Sequence, residues 1–133
     1  MKPATPAGVV IRDAHYPGRA PIDAYGNGGF RFAGMSHRGG IVSVPSGIYG
    51  WDAPAADALT EAAFARVLAE ADAIDILLVG TGKALVPLPR ALRERFRAAN
   101  IIADSMSTGA AVRTFNVILA EDRAVAAALL PVD

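Results

Sequence analysis

Two stretches carry residue types able to grip an anion. Gly80-Thr81-Gly82-Lys83 follows the apolar run Ile74 to Val79, and Asp104-Ser105-Met106-Ser107-Thr108 follows Ile101-Ile102-Ala103. Glycines after a strand let backbone N–H groups approach a phosphate or carboxylate, and a lysine adds charge. Ser107 and Thr108 stand where a helical pattern begins, so their hydroxyls suit capping; Asp104 would orient a donor for a polar ligand at that N-terminus. With Arg113 on the following helix, the candidate cleft comprises Gly80, Thr81, Gly82, Asp104, Ser107 and Arg113. Both stretches also have plainer readings, a tight turn at a strand end and ordinary helix capping. The first departs from the standard fingerprints: a P-loop needs four residues between its first Gly and the Gly-Lys pair, then Ser or Thr. Here Thr81 alone intervenes and Ala84 follows, while Leu85 stands where a dinucleotide-binding turn needs a third Gly.

Catalytic constellations are absent from the pattern. His15 and His37 lie in Gly/Pro-rich surroundings without metal-ligand spacing. No Gly-x-Ser-x-Gly surrounds Ser105 or Ser107, which argues against a serine triad. The lack of cysteine removes disulfides, thiolate metal sites and a thiol nucleophile. No catalytic residue, metal or cofactor is therefore assigned, and a binding protein is expected ahead of an enzyme.

The elements that must position these residues read as α/β. Ile74 to Val79 and Ile101 to Ala103 are continuous apolar runs, each followed by a helical pattern, which is the grammar of a parallel sheet. If they are parallel neighbours, both loops emerge at the carboxyl edge, where open α/β sheets place ligands. Helices are expected over Thr60 to Glu70, with Thr60 as N-cap and Phe64, Val67, Leu68 and Ala71 facing in; from Pro89, with Leu92, Phe96 and Ala99 inward; and over Ser107 to Ala120. Ala124 to Leu130 is expected to be a buried strand. Earlier, Val9 to Ala14, Phe30-Arg31-Phe32, Ile41 to Val44 and Gly47 to Trp51 read as strands, with Tyr16 to Gly29 and Met35 to Gly40 as loop and turn. This first third would form an antiparallel layer on the α/β part. Residues 1–8 read as a flexible tail before a single domain spanning 9–133.

Composition narrows the function classes. The chain has 133 residues, 53% of them hydrophobic, enough for a proper core. Thirteen basic residues balance thirteen acidic ones, so no global field draws in nucleic acid or an anionic membrane. No run approaches the ~20 apolar residues of a membrane span, and Met1 to Pro6 lacks a signal-peptide core. A soluble, cytoplasmic bacterial protein is the expectation. Arg90, Arg93 and Arg97 share one helix face and are the candidate surface for a protein partner, since Arg is enriched at interface hot spots. A homodimer is a second expectation.

Leu78-Val79-Gly80-Thr81-Gly82, Pro87-Leu88-Pro89, Asp104 to Ala111, Arg113-Thr114-Phe115-Asn116, the closing Val125 to Leu130 and the earlier Tyr25-Gly26-Asn27-Gly28-Gly29-Phe30-Arg31-Phe32 resemble the Mth-domain family. That family includes small bacterial and archaeal proteins, the adipogenesis-associated Mth-domain-containing protein and a mitochondrial complex I assembly factor. The resemblance implies a three-layer fold: a central mixed sheet flanked by helices, with an additional small antiparallel β layer. It implies a partner among respiratory-complex or membrane-biogenesis components, and it transfers no catalytic residue or cofactor.

Overall fold

The computed structural model describes residues 15–133. The expected tail and the expected strand Val9 to Ala14 lie outside the described residues. In chain order the strands are β1 (His15–Tyr16), β2 (Ile22–Gly26), β3 (Gly29–Phe32), β4 (Met35–Arg38), β5 (Gly40–Val44), β6 (Gly47–Trp51), β7 (Ile76–Gly80), β8 (Ile102–Met106) and β9 (Val125–Leu129). The α-helices are α1 (Ala65–Ala69), α2 (Arg90–Ala98) and α3 (Thr108–Ala120). The main sheet runs β1-β6-β5-β9-β7-β8, and β2-β3-β4 form a separate antiparallel sheet. β7 is parallel to both β8 and β9, whereas β9, β5, β6 and β1 pair antiparallel.

Side-chain alternation divides the core into two halves. Val42, Val44, Leu77, Val79, Ala126 and Ala128 face a layer containing Phe64, Val67, Leu92 and Phe96. Ile41, Leu78, Val125, Ala127 and Leu129 face Val112 and Phe115 of α3 and Ile22, Phe30 and Phe32 of the small sheet. Every residue of β9 is buried, as a strand covered on both faces requires. Its three alanines leave room for large side chains from both layers. On the first face the ring of Phe64 meets Trp51 at 5.5 Å and Phe96 edge-on at 5.2 Å. The Trp51 indole N–H donates to the Ala63 carbonyl at 2.7 Å, which satisfies its polar end.

Four local expectations need correction. The Tyr16 to Gly29 and Met35 to Gly40 segments are not loop throughout, because β2 and β4 occupy much of them. Two tight hairpins, Asn27-Gly28 and Ala33-Gly34, join these strands to β3, and their φ values of 52°, 78°, 50° and 76° give the left-handed pairs that match strand twist. Asp104 to Met106 is strand, since the β7 ladder continues to the pair Gly80 and Met106. β8 is an edge strand with a half-exposed face, so polar residues persist within it and the apolar run ends before the strand does. Thr60 makes no side-chain cap; Glu61–Phe64 winds as a 3-10 turn before α1. Pro89 keeps an extended ψ of 147° and flanks α2, which starts at Arg90.

The small sheet is clamped to α3 by one side chain. Asn116 Oδ1 accepts from the Ile22 N–H and its Nδ2 donates to the Ile22 carbonyl, both at 2.8 Å. The amide thus occupies the place of a neighbouring strand. Asn116→Ala leaves both Ile22 groups unpaired and should cost about 1–3 kcal/mol in urea denaturation; a loss below about 0.5 kcal/mol would show that water replaces the clamp without penalty.

Candidate functional site

The carboxyl ends of β7 and β8 lie side by side, in register from Ile76–Ile102 to Gly80–Met106. The two stretches therefore share one rim, as parallel neighbours must. The rim is closed largely by its own hydrogen bonds. Thr81 N–H donates to the Met106 carbonyl at 2.9 Å, and the Gly80 carbonyl accepts from Leu130 N–H at 2.9 Å. Gly82 N–H donates to the Thr108 hydroxyl at 2.9 Å, that hydroxyl donates to the Leu130 carbonyl at 2.7 Å, and Thr108 N–H donates to the Gly82 carbonyl at 2.8 Å. The Thr81 hydroxyl donates to the Ala84 carbonyl at 2.7 Å and accepts from Val86 N–H at 2.9 Å, which shapes the turn toward α2.

These bonds decide what the glycines do. The Thr81 and Gly82 amides, which an anion would need, point at protein acceptors. Gly80 is a packing glycine: a Cβ there would lie 2.9 Å from Leu129 Cδ2 and 3.0 Å from Thr108 Oγ1. Gly82 adopts φ +99°, a conformation that disfavours any side chain. Ser107 is the N-cap of α3, its hydroxyl accepting from Ala110 N–H at 3.3 Å.

A cleft of about 280 Å³ opens beside the rim, lined by Tyr25, Gly82, Lys83, Ser107, Gly109, Arg113, Val132 and Asp133. Of the six nominated residues it gathers Gly82, Ser107 and Arg113. Gly80 and Thr81 are buried beneath it, and Asp104 projects from the exposed part of β8 outside the lining. Lys83, the charged end of the glycine loop, joins the lining, as do Tyr25 and Gly109, which sequence reasoning did not assign to the site. The Tyr25 ring lies against Gly109, where a Cβ would overlap the phenol oxygen. Tyr25 and Gly109 are brought together by the docking of the small sheet on α3, and their separation in sequence gave no sign of it. The closing segment forms the other wall, with the Val132 carbonyl accepting from Gly28 N–H at 2.8 Å. Lys83 and Arg113 supply positive charge and Asp133 opposes it, so the cleft suits a small polar group and holds no nucleophile with a neighbouring base.

The arginine face is built as its spacing implies. Leu92 and Phe96 are buried, and Arg90, Arg93 and Arg97 fall within roughly 60° of arc on the opposite, exposed side of α2. Arg90 pairs with Glu94 at 3.3 Å, and Arg93 donates to the Leu88 carbonyl at 3.2 Å. The Arg90–Glu94 pair is solvated and contributes little to stability.

A family model described as protein of unknown function (DUF498/DUF598) matches residues 22–130. Among solved structures the chain is similar to a Bartonella henselae protein described as an outer membrane protein, with 61% identity and a TM-score of 0.86 over 90% of this chain and 100% of that one. It is similar to a Bordetella pertussis protein described as a Mth938-like domain, with 27% identity and a TM-score of 0.74 over 84% of this chain and 85% of that one. It is also 28% identical to NADH dehydrogenase (ubiquinone) 1 alpha subcomplex assembly factor 3 of Mus musculus, over 92% of this chain and 66% of that protein. The chain thus spans just under two thirds of the assembly factor's length.

The Thr108 hydroxyl is the test of the rim. Thr108→Val strands the Gly82 N–H and the Leu130 carbonyl and should cost about 1–3 kcal/mol in urea denaturation. Thr108→Ser keeps the hydroxyl and should cost about 0.8 kcal/mol for the lost methyl; equal losses would mean that the hydroxyl contributes nothing.

Proposed function

The chain belongs to the DUF498/DUF598 family of Mth938-like proteins, and from that premise we propose that it is a non-enzymatic, protein-binding domain of assembly-factor type, acting in the biogenesis of respiratory complex I or of other membrane proteins. The observation that carries this reading is the similarity to the mouse assembly factor, which extends over 92% of this chain. The rim supports it from the chemical side, because the loop amides that an anion or cofactor would use are engaged by protein acceptors. Among the described residues no helix is long and apolar enough to cross a membrane, so contact with a membrane complex would run through surface docking. The exposed face of Arg90, Arg93 and Arg97 is the docking surface in this reading.

A second reading is favoured by the cleft itself: Lys83 and Arg113 converge beside the start of α3, a place suited to a small anion. Ser107 and Arg113 would hold it, with Gly80, Thr81, Gly82 and Asp104 shaping the rim around them.

In the source organism, a strain lacking this gene should lose assembled complex I. Wild-type protein should restore it, and the triple variant Arg90→Glu, Arg93→Glu, Arg97→Glu should fail to do so while melting within a few degrees of wild type. Normal complex I in the deletion strain, or full rescue by the triple variant, would overturn the assembly reading. For the second reading, a thermal-shift screen with phosphates, nucleotides and carboxylates should give a rise in melting temperature that Arg113→Ala abolishes; a flat screen removes it.

A further inference from the structure

The Tyr25–Phe32 motif does more than turn a hairpin. Phe30 and Phe32 point into the core, which sends Arg31 to the opposite, solvent face of β3. The register sets Arg31 between Ala24 and Ser36, and Gly29 between Gly26 and Arg38. Cross-strand partners share a face, so the outer surface of the small sheet is Gly26, Gly29 and Arg38 in one row and Ala24, Arg31 and Ser36 in the next. Arg31 and Arg38 are diagonal neighbours, about 7–8 Å apart at the backbone, rising over a floor of glycine, alanine and serine. Close backbone approach keeps that floor bare, since a Cβ on Gly29 would overlap the His37 carbonyl oxygen.

A cavity of about 560 Å³ lies over this face, and no carboxylate is among the described residues that line it. Among the described residues neither the Arg31 nor the Arg38 side chain has a hydrogen bond, ion pair or ring contact. Five of the other arginines are engaged: Arg90 and Arg95 meet glutamates, Arg19 and Arg93 meet carbonyls, and Arg66 stacks on Tyr49. Two like charges on one sheet face with no carboxylate between them repel weakly, and an anion bound between them removes that repulsion.

We propose that this face is a phosphate-binding site. The two guanidinium forks would clasp the phosphoryl oxygens from adjacent strands, a geometry that suits Arg better than Lys. Ser36 and Asn27 stand at the margins of the same cavity as further donors. The site is separate from the arginine face of α2 and from the rim cleft, although Tyr25 lines both cavities.

Titrating the full chain with inorganic phosphate at constant ionic strength, read by amide NMR shifts, tests this. Constant ionic strength removes plain screening as a cause. Saturable shifts are expected at Gly26 to Arg31 and Ser36 to Arg38, with each of Arg31→Gln and Arg38→Gln weakening binding tenfold or more and the double variant abolishing it. Both side chains are exposed, so the variants should keep the wild-type spectrum elsewhere. Co-sedimentation with phosphatidylcholine vesicles, with and without phosphatidic acid, distinguishes the sources. Capture by phosphatidic acid that needs both arginines identifies a lipid headgroup, and phosphate binding without such capture identifies a soluble phosphoryl compound. Non-saturable shifts, shifts confined to Ser107 to Arg113, or binding untouched by the double variant would overturn the proposal.

Discussion

The Thr108 hydroxyl joins three parts of the chain that share no sequence neighbourhood. It accepts from the turn after β7 and donates to the residue that follows β9, while its own residue begins α3. A parallel sheet delivers its strand ends to one edge, and the carbonyls and amides there lose their ladder partners together. A threonine hydroxyl, acting once as acceptor and once as donor, pairs two of these groups while completely buried. Gly80 has to be glycine for the same reason, because its neighbour's hydroxyl occupies the space of a side chain.

That constraint extends into the layers. β9 lies between an antiparallel and a parallel partner and is buried on both faces, so it is made of small and aliphatic residues. The layer of Phe64, Phe96 and Trp51 covers one side, and α3 with the small sheet covers the other. The small sheet is tied on by Asn116, an amide side chain in the role of a peptide group. That docking, apolar through Ile22, Phe30 and Phe32 and fixed in register by Asn116, also brings Tyr25 over Gly109 and gives the cleft its present walls.

A rim that satisfies its own polar groups has consequences for function. The glycine loop resembles an anion cradle in composition, yet its amides face inward. Exposed positive charge sits at the margin of the rim on Lys83 and Arg113, on the outer face of α2, and on the outer face of the small sheet. The last two are surfaces rather than enclosed pockets, which agrees better with docking than with a reaction that must exclude water.

How much of this was legible follows from the range of each interaction. The apolar runs and the inward faces of Leu92, Phe96, Ala111, Val112 and Phe115 follow from local periodicity, because burial on a helix or strand repeats with the backbone. The parallel pairing of β7 with β8 was only a condition suggested by the alternation of strand and helix, and the register in space met it. The motif order also carried the family. The length of β8 was hidden, since an edge strand tolerates Asp104 and Ser105 and its apolar signal stops early. β2 and β4 were hidden because glycines that serve two tight turns read as loop on either side. The amide directions at Thr81 and Gly82, the contact of Tyr25 with Gly109 and the pairing of Arg31 with Arg38 across strands depend on partners distant in sequence or on strand register. By itself the sequence determined which residues must be buried and in what rhythm; only the tertiary structure decided which polar groups they leave unpaired, because hydrogen-bond partners are chosen in space and hydrophobicity along the chain has no direction.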